Sequence, residues 1–107
     1  MRIVRTKRYV RDLKRLGVTE AEVSALEQSI AFDPTAGAVI PGLGGVRKIR
    51  FGLSGRGKRG GGRAIYFLMM KDDTAVMLFA FAKNEQEDLT SDQRKAALAL
   101  IKEFEDG

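Results

Sequence analysis

The 107-residue chain contains no cysteine and no histidine. The first absence excludes disulfides and thiolate metal sites. The second removes the commonest metal ligand and the commonest general acid or base of enzymes together. Long apolar runs are also missing. The start, MRIVRTKRYV, is broken by charges every few residues, so it does not read as a signal peptide. No run approaches the ~20 residues that span a bilayer. The expectations are a cytoplasmic location, no membrane partner, and no metal or other cofactor. Acidic residues are absent from Pro34 to Lys71, where eight basic ones fall: Arg47, Lys48, Arg50, Arg56, Lys58, Arg59, Arg63 and Lys71. From Asn84 to Gly107 seven acids face three bases, Arg94, Lys95 and Lys102. The net charge of +5, from 19 basic and 14 acidic residues, is therefore segregated into a basic middle and an acidic tail. Such a one-sided field attracts a polyanion, with an affinity that falls steeply with salt.

What is present reads as one domain, 1–107, with 44% hydrophobic residues to form a single core. Residues 2–6 suit a short strand. Tyr9, Val10, Leu13 and Leu16 then repeat at helical spacing up to Gly17, and Thr19 caps a second helix striped by Val23, Leu26 and Ile30. Asp33-Pro34 closes that helix, giving an antiparallel helix hairpin. A glycine-rich loop covers 35–45, and in 46–53 Ile49, Phe51 and Leu53 alternate with Lys48, Arg50 and Gly52: a strand with one apolar and one basic face. SGRGKRGGG (54–62) reads as a flexible cationic loop. AIYFLMM (64–70) and TAVMLFAFA (74–82), separated by Lys71-Asp72-Asp73, read as a hairpin of covered strands. Ala97, Leu100, Ile101 and Phe104 stripe an amphipathic terminal helix. The layout predicts an α+β fold: a twisted antiparallel sheet with an N-terminal helix hairpin and a C-terminal helix.

Two cationic features could carry chemistry. GRGKRGGGR (55–63) lets backbone approach a ligand closely, although it lacks the spacing of a nucleotide P-loop and also fits a merely solvated basic loop. Lys48 and Arg50, two residues apart, project to one side of a strand. In an antiparallel meander Arg63 and Lys83 would converge on them, the alternative being an ordinary solvated face. RNA supplies its own nucleophile, the 2′-hydroxyl. The protein must then position the chain, neutralise phosphate charge and move protons. Arginine forks match the phosphate, with Arg63 the better clamp. A lysine crowded by cations, Lys48 or Lys83, is the candidate base. Phe51, Tyr66, Phe67, Phe79 and Phe81 could stack bases but fit a core better; Tyr66 stays open because its hydroxyl needs a partner. Glu85, Glu87 and Asp88 read as a solvated turn and not as a metal cluster.

The ordered motifs G-G-x-R-K-x-R, G-x-G-K-R-G-G-x-R-x-I-Y and A-K-N-E-x-x-D-L, within AVIPGLGGVRKIRFGLSGRGKRGGGRAIYFLM and FAFAKNEQEDLTSDQRKAALALI, extend the reading. The chain resembles the RelE/HigB-type toxins of bacterial type II toxin–antitoxin systems. The resemblance implies a microbial ribonuclease-like α+β fold. It also implies an mRNA interferase, a ribosome-dependent endoribonuclease that cleaves mRNA in the A site of the 70S ribosome by 2′-hydroxyl attack and so inhibits translation and growth. It implies a cognate antitoxin, a helix-turn-helix HigA-like protein, with operator DNA met only through the toxin–antitoxin complex. Carried over by position, the catalytic residues fall on Lys48, Arg50, Arg63 and Lys83, with Arg47, Arg56, Lys58 and Arg59 as RNA- or phosphate-binding cations. Some RelE-type enzymes place a tyrosine near the start of the last helix. Here that region reads Glu87-Asp88-Leu89-Thr90, which leaves the base to a lysine. A non-catalytic basic RNA- or DNA-binding module, an inactive toxin relative, and an interaction protein that docks an acidic helix are the alternatives.

Overall fold

A computed structural model describes residues 1–53 and 58–106, with residues 58–60 described by their backbone alone. Strand β1 (Arg2–Arg5) runs straight into helix α1 (Lys7–Leu16). Thr6 makes the join rigid: its Oγ1 accepts the Tyr9 N–H at 3.2 Å as N-cap and donates to the Met77 carbonyl at 2.8 Å. Gly17, at φ 68°, ends α1 in the left-handed conformation that a Cβ would strain. Helix α2 (Glu20–Phe32) opens with a capping box, Thr19 and Glu22 each bonding the other's backbone N–H at 3.1 and 2.9 Å. Both helices are where the sequence places them.

The remaining elements are β2 (Ala38–Val39), β3 (Arg47–Leu53), β4 (Lys58–Met69), a 3₁₀ turn at Met70–Asp72, β5 (Thr74–Ala82) and α3 (Ser91–Asp106). They form a five-stranded sheet in the order β1-β5-β4-β3-β2. The α+β architecture matches expectation, and β2 through β5 pair antiparallel. One pair is parallel: β5 comes to lie beside β1 after the chain has passed through two helices and three other strands. β4 also begins earlier than the apolar run suggests: its glycines carry no side-chain periodicity, yet Gly62 pairs with both Phe51 and Ala82. The Phe51 ring lies against Gly62 where a Cβ would sit, only 2.5 Å from that position.

Each face of the sheet carries its own core. Tyr9, Leu13, Leu16, Val23, Leu26 and Ile30 of α1 and α2 pack on Phe51, Ala64, Tyr66 and Met77. On the opposite face Ala97 and Ile101 of α3 pack with Ile65, Phe67, Phe79 and Phe81. A bulge in β5 between the partners of Ile65 and Tyr66 lets Leu78 and Phe79 both join this second core. All five strand aromatics named in the sequence reading are buried. β1 covers only the Thr74–Met77 half of the β5 edge. Beyond it side chains take over: Asp12 accepts the Ala80 N–H at 3.0 Å, Arg15 donates to the Ala80 carbonyl at 3.1 Å, and Glu85 accepts the Ala82 N–H at 2.8 Å.

Candidate functional site

The β3–β4 register sets Arg50 directly opposite Arg63 and Lys48 opposite Ile65. Alternation along a strand then puts Lys48, Arg50 and Arg63 on the face that carries α3. α3 covers the apolar part of that face and leaves the cationic part open. The result is a cavity of about 300 Å³ lined by Ala38, Lys48, Arg50, Arg63, Lys83, Gln86 and Glu87. All four cations that the sequence reading grouped thus meet in one place.

Arg63 sits deepest, 9% exposed, with Nη1 donating to the Gly62 carbonyl at 3.0 Å. Burial, and after it the Arg50 charge, lower its guanidinium from the ordinary arginine value. It remains a cation at neutral pH. Like charges directly opposite each other in a ladder are destabilising, and burying one adds a desolvation cost. An anion placed between Arg50 and Arg63 would offset their mutual repulsion. Lys83 enters from the end of β5, where its N–H donates to the Gly61 carbonyl at 2.9 Å.

Other expected cations are placed differently. Arg47 was expected among the phosphate ligands, but its position beside Tyr66 in the register turns it to the α1–α2 face. Its guanidinium there donates to the Gly37 and Thr35 carbonyls at 2.7 and 3.2 Å. It is a clamp on the loop before β2. Tyr66 works beside it, donating to the Pro34 carbonyl at 2.7 Å and accepting the Gly37 N–H at 3.0 Å. The tyrosine hydroxyl that needed a partner finds it in the backbone and not in a base. Together they hold the segment that delivers Ala38 to the cavity. Arg56 lies outside the described residues, and for Lys58 and Arg59 the strand backbone alone is described.

Three wall residues were not singled out as part of a site: Ala38, Gln86 and Glu87. Ala38 carries no chemical signal in sequence. Gln86 and Glu87 stand in a polar run that looks like solvated turn until the chain beyond β5 is seen folding back across the sheet. The lining groups together can bind an anion at several points, neutralise charge developing on it, and exchange protons.

A family model described as the RelE toxin of the RelE/RelB toxin–antitoxin system matches residues 1–106. Two solved structures share the fold. An arginine double mutant of Escherichia coli toxin RelE in the free state is 14% identical, with a TM-score of 0.58 over 94% of this chain and 96% of that one. The archaeal RelE–RelB complex from Pyrococcus horikoshii OT3 contains a chain 18% identical, with a TM-score of 0.55 over 79% of this chain and 97% of that one.

Proposed function

The chain belongs to the RelE toxin family, and on that premise we propose that it is a ribosome-dependent endoribonuclease that cuts mRNA during translation. The observation that carries the proposal is the Arg50–Arg63 pair, opposed across two strands in a cavity shared with Lys48 and Lys83. A phosphodiester seated between the two arginines has its non-bridging oxygens held by planar forks. The 2′-oxygen of the preceding ribose attacks phosphorus, the bond to the 5′-oxygen breaks, and the negative charge that builds on phosphate meets donors already in place. Arg50 and Arg63 are the phosphate clamp; Lys48 and Lys83 complete the positive field and supply a proton donor. The products are a 2′,3′-cyclic phosphate and a 5′-hydroxyl.

The antitoxin side follows from the family as well. The RelE–RelB complex among the related structures supports a cognate antitoxin for this chain, and the helix-turn-helix, HigA-like type is the kind proposed. Among the described residues no helix is long and apolar enough to cross a membrane, which agrees with action at cytoplasmic ribosomes.

The test is an in vitro translation reaction with purified toxin, scored for cut messenger. Cuts in the ribosomal A site, absent from free RNA and absent with Arg63→Ala, are the expected result. Messenger that stays intact with toxin stoichiometric to ribosomes would refute the enzyme reading, and salt-sensitive binding without cuts would establish a binding module instead.

A further inference from the structure

We infer that Glu87 is the general base of this site, the group that takes the proton from the attacking 2′-hydroxyl; the inference rests on the ribonuclease reading above. The cavity wall narrows the choice. Arg50 and Arg63 do not release a proton at working pH, and a lysine ammonium is a donor that must lose its own proton before it can accept another. Glu87 is the one carboxylate among the lining residues, and an ionised carboxylate only accepts.

Its neighbours explain how it is held there. In the run 85–88 the other three side chains are engaged in fastening the segment. Glu85 accepts the Ala82 N–H at 2.8 Å and pairs with Arg15. The Gln86 amide donates to the Asp88 carbonyl at 2.7 Å and to Gln93 Oε1 at 2.8 Å. Gln93 in turn caps the start of α3 through Thr90, with bonds of 2.9 and 3.1 Å. Asp88 accepts the Leu89 N–H at 2.8 Å and meets Arg94 at 3.2 Å. Glu87 has no hydrogen bond or ion pair among the described residues. The segment is tied to β5 on one side and to α3 on the other, and Glu87, between those ties, lines the same cavity as Lys48, Arg50, Arg63 and Lys83.

The step balances without a cofactor. The 2′-O–H proton passes to a Glu87 carboxylate oxygen as the 2′-oxygen–phosphorus bond forms. The phosphorus–5′-oxygen bond breaks, and the leaving oxygen takes a proton from a lysine ammonium of the cavity. The Glu87 carboxylic acid and the lysine amine return to their starting forms by proton exchange through solvent. Lysine is then the acid and not the base, which reverses the role the sequence alone suggests for Lys48 or Lys83.

The experiment compares wild type, Glu87→Gln and Glu87→Asp in ribosome-dependent cleavage, with ribosome binding measured separately and folding checked by thermal melting. Positioned bases contribute about 10²–10⁴-fold, so Glu87→Gln is expected to lower kcat at least about 100-fold with KM and melting nearly unchanged. Glu87→Asp keeps the carboxylate and is expected to retain part of the rate. A Glu87→Gln protein that cuts at the wild-type rate, or a Glu87→Asp protein as slow as Glu87→Gln, overturns the assignment while the ribonuclease reading stands. Wild-type protein that cuts nothing overturns both.

Discussion

One antiparallel ladder presents two faces, and the same residue types do different work on each. Under α1 and α2, polar groups are fully committed to the fold. Arg47 holds two carbonyls, Tyr66 bridges Pro34 and Gly37, and Tyr9 donates to Glu27 at 3.0 Å while Arg5 grips the same carboxylate at 2.8 and 2.9 Å. On the α3 face Arg50 and Arg63 stand opposed, with Lys48 beside them. Arg47 and Arg50 are three positions apart, so strand parity sends one to each face. Arg47 fastens a loop on one face, whereas Arg50 and Arg63 bring two like charges side by side on the other. The lesson is that charge in sequence marks a region, while parity assigns the role.

The contrast is broken most sharply by truncating one arginine on each face. Arg50→Ala is expected to slow messenger cleavage about 10²-fold or more, the scale of losing one preorganised donor to the transition state, with the urea midpoint unchanged or slightly raised. Arg47→Ala is expected to do the reverse. It strands the carbonyls of Thr35 and Gly37 and costs roughly 1–3 kcal/mol of stability, while cleavage at low temperature stays within a few-fold of wild type. Equal losses of activity in both proteins would erase the distinction between the faces.

Gly62→Ala tests how tightly the α1–α2 face is packed. The new methyl would lie about 2.5–2.8 Å from the Phe51 ring atoms, so the ring must leave its place. A loss of roughly 1–3 kcal/mol is expected from such overpacking, read as a lower denaturant midpoint. Since Gly62 adjoins Arg63, a fall in cleavage should track the loss of folded protein and vanish when rates are compared at equal folded fraction.

The gentlest probe is alkaline titration. Burial, reinforced by Glu27, raises the Tyr9 phenol far above its ordinary value, and burial raises Tyr66 against the lowering effects of the Gly37 N–H and Arg47. The folded protein keeps these protons where the unfolded chain, with tyrosines titrating at about 10, gives them up. Stability from this source is therefore complete below about pH 10 and declines above it, by up to about 1.4 kcal/mol per pH unit for each tyrosine. Tyr9→Phe should lower stability at neutral pH by the lost bond to Glu27 and flatten the alkaline decline. An unaltered decline in that variant would show that the titration lies elsewhere.

Much of the scaffold was legible locally. The Thr19–Glu22 box, the Gly17 stop, the alternation of 46–53 and the stripe of α3 all arise from interactions within a few residues. So was the membership of the cationic cluster, because Lys48 and Arg50 share a strand side, and an antiparallel meander brings Arg63 and Lys83 to them. Less legible was β2, two residues long with no pattern of its own, and the first half of β4, whose glycines are silent in any periodicity. The parity of Arg47 was readable in principle from its neighbour Lys48. A basic run drew it into the cluster instead.

The sequence by itself determined the three helices and the apolar strands, the segregation of charge and the chemistry on offer: cations, carboxylates and no imidazole. Only the tertiary structure decided that β1 would lie parallel beside β5, that Arg47 and Tyr66 would be taken up by a loop, and that Glu87 would line one cavity with the cations. Helix caps and strand alternation depend on neighbours along the chain, so composition and spacing suffice to predict them. The ties of Glu85 to Ala82 and of Gln86 to Gln93 are nearly as local, but Glu87 shares its cavity with cations of β3 and β4, which come together only when segments far apart in sequence have paired in one sheet.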